Sequence, residues 1–108
     1  MTFARGEIVW LSFAPQKGHE QAGRRPALVI SPKEYNALSN CILVCPITSN
    51  THPWPWKVIL PEEMETKGAV LVDQIESVDA RARKMEPTGQ TVSVALMNEI
   101  LARLLLLA

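Results

Sequence analysis

Arg25-Pro26-Ala27-Leu28-Val29-Ile30-Ser31 sets four apolar residues in a row between a rigid proline and a serine. A short continuous apolar run of this kind suits a strand buried on both faces. Upstream, Ala14–Arg24 carries Pro15, Gly18 and Gly23 with few apolar anchors, and reads as a loop. Before it, Gly6–Phe13 (GEIVWLSF) is β-branched and aromatic and reads as a first strand. Downstream, Pro32–Leu38 fits one helical turn with Ser31 as N-cap and Pro32 at the first helical position. Asn40–Thr48 is another strand, and Pro46 within it predicts an edge or a bulge near its end.

The polar, proline-rich loop Ser49–Pro55 follows, carrying His52 and Trp54, with Trp56 just beyond. Trp56–Leu60 and Gly68–Gln74 read as short strands around an acidic turn, and Ile75–Pro87 as a strand, a tight turn and a second short strand. Thr91 or Ser93 can cap a final helix ending near Leu107, in which Met97, Ile100 or Leu101, and Leu104 share one face. Glu99 and Arg103 stand in the favourable i,i+4 order on another. The segments between strands are too short for crossover helices, which excludes a parallel βαβ sheet. The expected fold is therefore mainly β with a C-terminal helix (α+β), a small barrel.

At 108 residues, 47 % of them apolar and 20 % charged, the chain fits a single domain spanning 1–108 with ordinary globular composition. Met1–Arg5 leads into no apolar signal region, and Leu104–Leu107 is the longest greasy stretch, so the expected location is cytoplasmic, with no membrane contact. Eleven basic residues balance eleven acidic ones, which argues against a protein that coats nucleic acid non-specifically but leaves room for a local basic site. Cys41 and Cys45 lie on one strand, roughly 13 Å apart at strand rise, too far to form a disulfide with each other. His19 and His52 stand apart from any Asp, Glu or Cys at ligand spacing, so no metal site and no cofactor is expected.

Three segments concentrate chemistry. Gly18-His19-Glu20-Gln21-Ala22-Gly23-Arg24-Arg25-Pro26 brings a potential acid/base pair, two guanidiniums and two glycines together, although a solvated connection between strands has the same composition. Cys45-Pro46-Ile47-Thr48-Ser49-Asn50 ends a strand on consecutive hydroxyls and an amide, which also serve as turn residues. Val72-Asp73-Gln74-Ile75-Glu76-Ser77 precedes Ala80-Arg81-Ala82-Arg83, whose arginines would face one way on a strand.

Gly6–Pro15 and Lys17–Pro32, then Tyr35-Asn36, Pro46-Ile47-Thr48-Ser49, Ala69–Ser77 and Arg81-Ala82-Arg83, together resemble the signature of the MazF/PemK toxins in order and spacing. The resemblance covers nearly the whole chain, and its Glu20-Gln21-Ala22-Gly23-Arg24-Arg25-Pro26 block is highly specific. It implies an SH3-like barrel, a homodimer, metal-independent cleavage of single-stranded RNA at short specific sequences, and neutralisation by a cognate MazE-like antitoxin. By the same resemblance Arg25, Thr48 and Glu20 are the catalytic residues, and His19, Gln21, Gly23, Ser49 and Gln74 are substrate-binding. His19 stands where the family often has serine, Trp56 where phenylalanine is frequent, and Lys57 where an acid is frequent.

Metal-free cleavage requires the 2′-OH to attack its own phosphate, leaving a 2′,3′-cyclic phosphate and a 5′-OH. Charge then gathers on non-bridging oxygens, which a fixed guanidinium such as that of Arg25 can hold in pairs. Thr48 can donate a hydrogen bond to the same phosphate, and Glu20 can orient Arg25 or accept the 2′-OH proton. Trp54 and Trp56 suit either base stacking or core packing. The competing class is a binding module: the related CcdB-type toxins use a similar barrel to poison a topoisomerase. A third possibility is a degenerate toxin that keeps only RNA or antitoxin binding. Arg25 and Thr48 occurring together favour the nuclease.

Overall fold

Neighbouring strands in the sheet run in opposite directions, and the pairings are antiparallel. The computed structural model describes residues 2–13 and 23–108. Its elements are β1 (Glu7–Phe13), β2 (Gly23–Val29), α1 (Lys33–Leu38), β3 (Cys41–Thr48), β4 (Lys57–Ile59), β5 (Ala69–Leu71), β6 (Glu76–Asp79), β7 (Glu86–Thr91) and α2 (Val94–Leu105). The sheet runs β4-β5-β3-β2-β1-β7, with β6 added along β3. No pairing joins β4 to β7 among the described residues, so the expected mainly-β barrel with its C-terminal helix is adopted in open form.

Side chains alternate across the strands and build two cores, one on each face. Ile8, Leu28, Cys45 and Ile47 point to the face covered by Met97 and Ile100 of α2. Val9, Leu11, Ala27, Val29 and Val44 point the other way, against Phe3, Val78 and Met85. Because β2 and the middle of β3 are buried on both faces, Ala27-Leu28-Val29-Ile30 is apolar throughout rather than alternating.

Several expectations need correction. Pro46 marks neither an edge nor a bulge: β3 is interior, pairing β2 on one side and β6, then β5, on the other. Leu43 accepts from Ile30 and Ser31 on the β2 side, so by alternation Pro46 turns its nitrogen toward the opposite side. That nitrogen falls in the gap between the last β6 pairing, at Val44, and the first β5 pairing, at Ile47. A missing N–H is harmless there.

Ser31 does not cap α1; Pro32 takes the N-cap position without a side-chain bond. The Ser31 hydroxyl instead donates to Asn36 Oδ1 and accepts the Leu43 N–H at 3.0 Å. Gly68–Gln74 is not one strand. β5 stops at Leu71 and a 3-10 turn, Val72–Gln74, takes up the change of register before β6. Arg81 and Arg83 occupy the turn after β6 rather than a strand. The second strand of that region runs on to Thr91, and Ser93 is the α2 cap, accepting from the Leu96 N–H at 3.1 Å.

Candidate functional site

The β2–β3 register pairs Val29 with Val44, Leu28 with Cys45 and Ala27 with Pro46. Continued two residues further, it sets Arg25 across from Thr48. The last pair of the register is Ala27 with Pro46, and by alternation Arg25 and Thr48 turn their side chains to the same face as these two. That face is the one carrying Val9, Leu11, Ala27 and Val29, and Leu11 lies directly opposite Arg25 on β1. Arg25 and Thr48 are therefore where the apolar rows of this face give way to polar side chains, and both are partly exposed.

The Thr48 hydroxyl oxygen accepts the Asn50 N–H at 3.1 Å, and Asn50 Oδ1 accepts the His52 N–H at 2.9 Å. These two local bonds shape the turn that leaves β3. They occupy a lone pair of Thr48 and leave its hydroxyl hydrogen to donate outward. Behind Thr48 the backbone of Gly68 comes so close that an added Cβ would lie 2.1 Å from the Thr48 carbonyl oxygen. With φ at +119° as well, Gly68 is required there by both space and conformation.

Arg24 and Arg25 are adjacent in sequence but diverge. Arg24 pairs with Glu86 at 2.7 Å and donates to the Lys84 carbonyl at 3.0 Å and the Ser12 hydroxyl at 3.3 Å. It binds β2 to β1 and to the start of β7. On the Arg25 side, the Arg83 guanidinium lies 5.2 Å from the Phe13 ring centre, donates to the Ser12 carbonyl at 2.6 Å, and meets Glu76 at 3.5 Å.

Among the other residues expected at the site, Gly23 opens β2 opposite Phe13 and shares the Arg25 face. Its φ of +125° explains the glycine, since a Cβ there would meet nothing. Ser49 is exposed directly after Thr48. Gln74 is exposed at the end of the 3-10 turn beside β3, away from the tip of the strand. Glu20, His19 and Gln21 lie outside the described residues. Asp73 and the Phe13–Arg83 pair were not singled out as site residues by the sequence, whereas Trp54, weighed there between base stacking and core packing, is half-exposed rather than in the core. The Trp54 indole N–H donates to Asp73 Oδ2 at 3.2 Å, tying the loop after Thr48 to the 3-10 turn. Only non-local pairing brings them together.

Beneath this turn the buried Cys45 thiol is pushed up to about 12, by burial first and by the Asp73 carboxylate second. It contacts the Val72 carbonyl and stays a neutral apolar filler. Among the described residues no group of three His, Cys, Asp or Glu is placed to hold a metal ion. No helix there is long and apolar enough to cross a membrane.

A strand-end guanidinium beside a hydroxyl, on an open mainly-β barrel with a terminal helix, is an arrangement suited to binding a phosphodiester. The chain belongs to the PemK-like, MazF-like toxins of type II toxin–antitoxin systems, whose family model matches residues 4–108. It is 40 % identical over 84 residues to the endoribonuclease toxin MazF of Escherichia coli K12, covering 78 % of this chain and 75 % of that one. The endoribonuclease toxin ChpB of the same strain is 39 % identical over 107 residues, covering 94 % of this chain and 90 % of ChpB. A crystal structure of MazE–MazF from Deinococcus radiodurans superposes with a TM-score of 0.89 at 39 % identity, over 99 % of this chain and 96 % of the other.

Proposed function

We propose that residues 1–108 form one toxin domain that acts as a metal-independent endoribonuclease on single-stranded RNA, cutting at short specific sequences. The observation that supports this reading is the β2–β3 register, which ends at Ala27 and Pro46 and, extended by two residues, brings Arg25 level with Thr48, whose hydroxyl oxygen accepts the Asn50 N–H. The scissile phosphate docks between them. Its 2′-OH attacks the phosphorus, and charge building on the non-bridging oxygens is met by the guanidinium fork and the Thr48 hydroxyl. Glu20 orients Arg25 or takes the 2′-OH proton. Departure of the 5′ oxygen leaves a 2′,3′-cyclic phosphate and a 5′-OH. Gly23, Ser49, Gln74, His19 and Gln21 contact the flanking nucleotides.

The protein works in the cytoplasm as a homodimer and is neutralised by a MazE-like antitoxin. Family membership supports the antitoxin. Exposed Leu105, Leu106 and Leu107 at the end of α2 support self-association, because contiguous apolar surface of this kind favours burial against a partner.

The test is incubation of purified protein with a long transcript in EDTA, followed by end analysis. Discrete fragments whose 5′ ends accept phosphate from polynucleotide kinase without prior phosphatase treatment, and whose 3′ ends are cyclic, are the expected result. Intact RNA, or fragments bearing 5′-phosphates, would overturn the reading.

A further inference from the structure

The loop that leaves Thr48 runs alongside α2, and between them lies an open cavity of about 420 Å³. His52, Trp54, Lys57, Ile59 and Arg103 contribute to its wall. Every ionisable side chain lining it among the described residues is basic, in a chain whose formal charge is zero. Trp54 is 49 % exposed and Ile59 is 56 % exposed, so the cavity offers an aromatic face and an apolar floor to solvent.

The wall is held in place rather than loosely arranged. Trp54 is fixed at its edge by the bond to Asp73, which leaves the face of the ring open. Lys57 Nζ donates to the His52 carbonyl at 3.0 Å, and Arg103 donates to the Pro55 carbonyl while pairing with Glu99 at 3.3 Å. An ammonium has three donors and a guanidinium five, so both keep capacity for an anion. The cavity begins at Thr51, three residues past Thr48, a reach of at most about 10 Å along the chain.

We propose that this cavity is an accessory nucleotide subsite, in which Trp54 stacks on a base flanking the cut and Lys57 and Arg103 hold the adjoining phosphates. The inference rests on the endoribonuclease reading above and adds where a flanking base is read. An aromatic face beside cationic donors is what single-stranded RNA requires, since every base has a face that stacks and every linkage carries a negative charge. An acidic peptide would satisfy the cations, but it would leave the ring face without a planar partner. Lys57 brings a positive charge to this wall beside the Trp54 ring, which gives the chain its own flanking preference.

Cut sites are first mapped for wild-type protein on a long transcript in EDTA. Steady-state cleavage is then measured on a synthetic oligoribonucleotide spanning one such site, and on copies made abasic at single flanking positions. Loss of a stacking ring costs about 5- to 150-fold in affinity. Trp54→Ala therefore raises KM by a factor in that range with kcat nearly unchanged, and Trp54→Phe restores most of it although the Asp73 bond is gone. Lys57→Ala raises KM less and flattens its salt dependence. One abasic position abolishes the difference between wild type and Trp54→Ala. An unchanged KM and flanking preference in Trp54→Ala, or equal losses in KM and kcat not rescued by Trp54→Phe, would overturn the subsite while leaving the nuclease standing. Absence of any cleavage by wild-type protein would instead overturn the nuclease reading, and the subsite with it.

Discussion

The two faces of the β2–β3 pair are made by the same strands, yet one is sealed and the other runs out into a polar edge. On the α2 side, Leu28, Cys45 and Ile47 meet Met97 and Ile100 in a continuous core. On the opposite side, Val29, Val44 and Ala27 continue that density only as far as Arg25 and Thr48. Adjacent residues on one strand thus serve different ends. Arg24 turns to Ser12, Lys84 and Glu86, while Arg25, opposite Leu11, lies on the other face. Alternation along a strand turns the two arginines of a single dipeptide to opposite faces.

This contrast is open to direct attack. On the sealed face, Ile100→Ala should cost about 2–5 kcal/mol, since the side chain has no exposure and its removal leaves a cavity. Denaturant melts give the loss, and the cleavage rate per folded molecule should hold steady. A parallel fall in that rate would mean the two faces are coupled.

Gly68→Ala attacks the boundary between the faces. Left-handed strain alone is on the order of 1–3 kcal/mol, and the clash with the Thr48 carbonyl adds to it. This variant should lose stability and cleavage rate together, because the Thr48 backbone must move. Full activity in a stable Gly68→Ala protein would detach Thr48 from the site.

Cys45 gives an effect confined to alkaline pH. Its folded value of about 12 stands above the ordinary 9.0, so the folded state keeps the proton that the unfolded chain gives up. Stability is therefore whole below pH 9 and declines between about 9 and 12, at a slope approaching roughly 1.4 kcal/mol per pH unit. Cys45→Ala should be less stable at pH 8 and should lack this part of the alkaline slope. Identical slopes for the two proteins between pH 8 and 10 would show that the thiol is not shielded.

Much of the architecture was legible in local pattern. The apolar runs at 27–30 and 41–45 became interior strands, and the helical spacing of Met97, Ile100 and Leu104 became α2. What local pattern missed depended on partners distant in sequence. Pro46 looks like an edge marker until the strand opposite it is seen to change from β6 to β5. Ser31 looks like a cap until Asn36 and Leu43 claim its hydroxyl. Arg81 and Arg83 look like alternating strand residues, but Asp79 accepts backbone N–H bonds from Arg81 and Ala82 and turns the chain.

The candidate site was less legible for the same reason. Composition does not separate Arg24 from Arg25, and nothing local relates Thr48 to either; strand alternation separates the two arginines, and the β2–β3 register extended past Ala27 and Pro46 relates Thr48 to Arg25. Resemblance to the toxin family was what singled out Arg25, Thr48 and Glu20 from the sequence. Trp54 and Asp73, 19 positions apart, meet only because the loop after β3 folds against the 3-10 turn.

Single-turnover cleavage of one RNA in EDTA by wild type, Arg25→Ala, Arg25→Lys and Arg24→Ala, with a thermal melt of each, tests the central claim most directly. Loss of a preorganised donor costs about 100- to 1000-fold, and an ammonium cannot reproduce the guanidinium fork. Both Arg25 variants should therefore slow by that factor, far more than any loss of folded protein seen in their melts accounts for. Arg24→Ala should cut at close to the wild-type rate while losing about 1 kcal/mol of stability. Near-wild-type cleavage by Arg25→Ala, or an equal collapse in Arg24→Ala, would contradict the assignment of one arginine to the fold and its neighbour to the reaction.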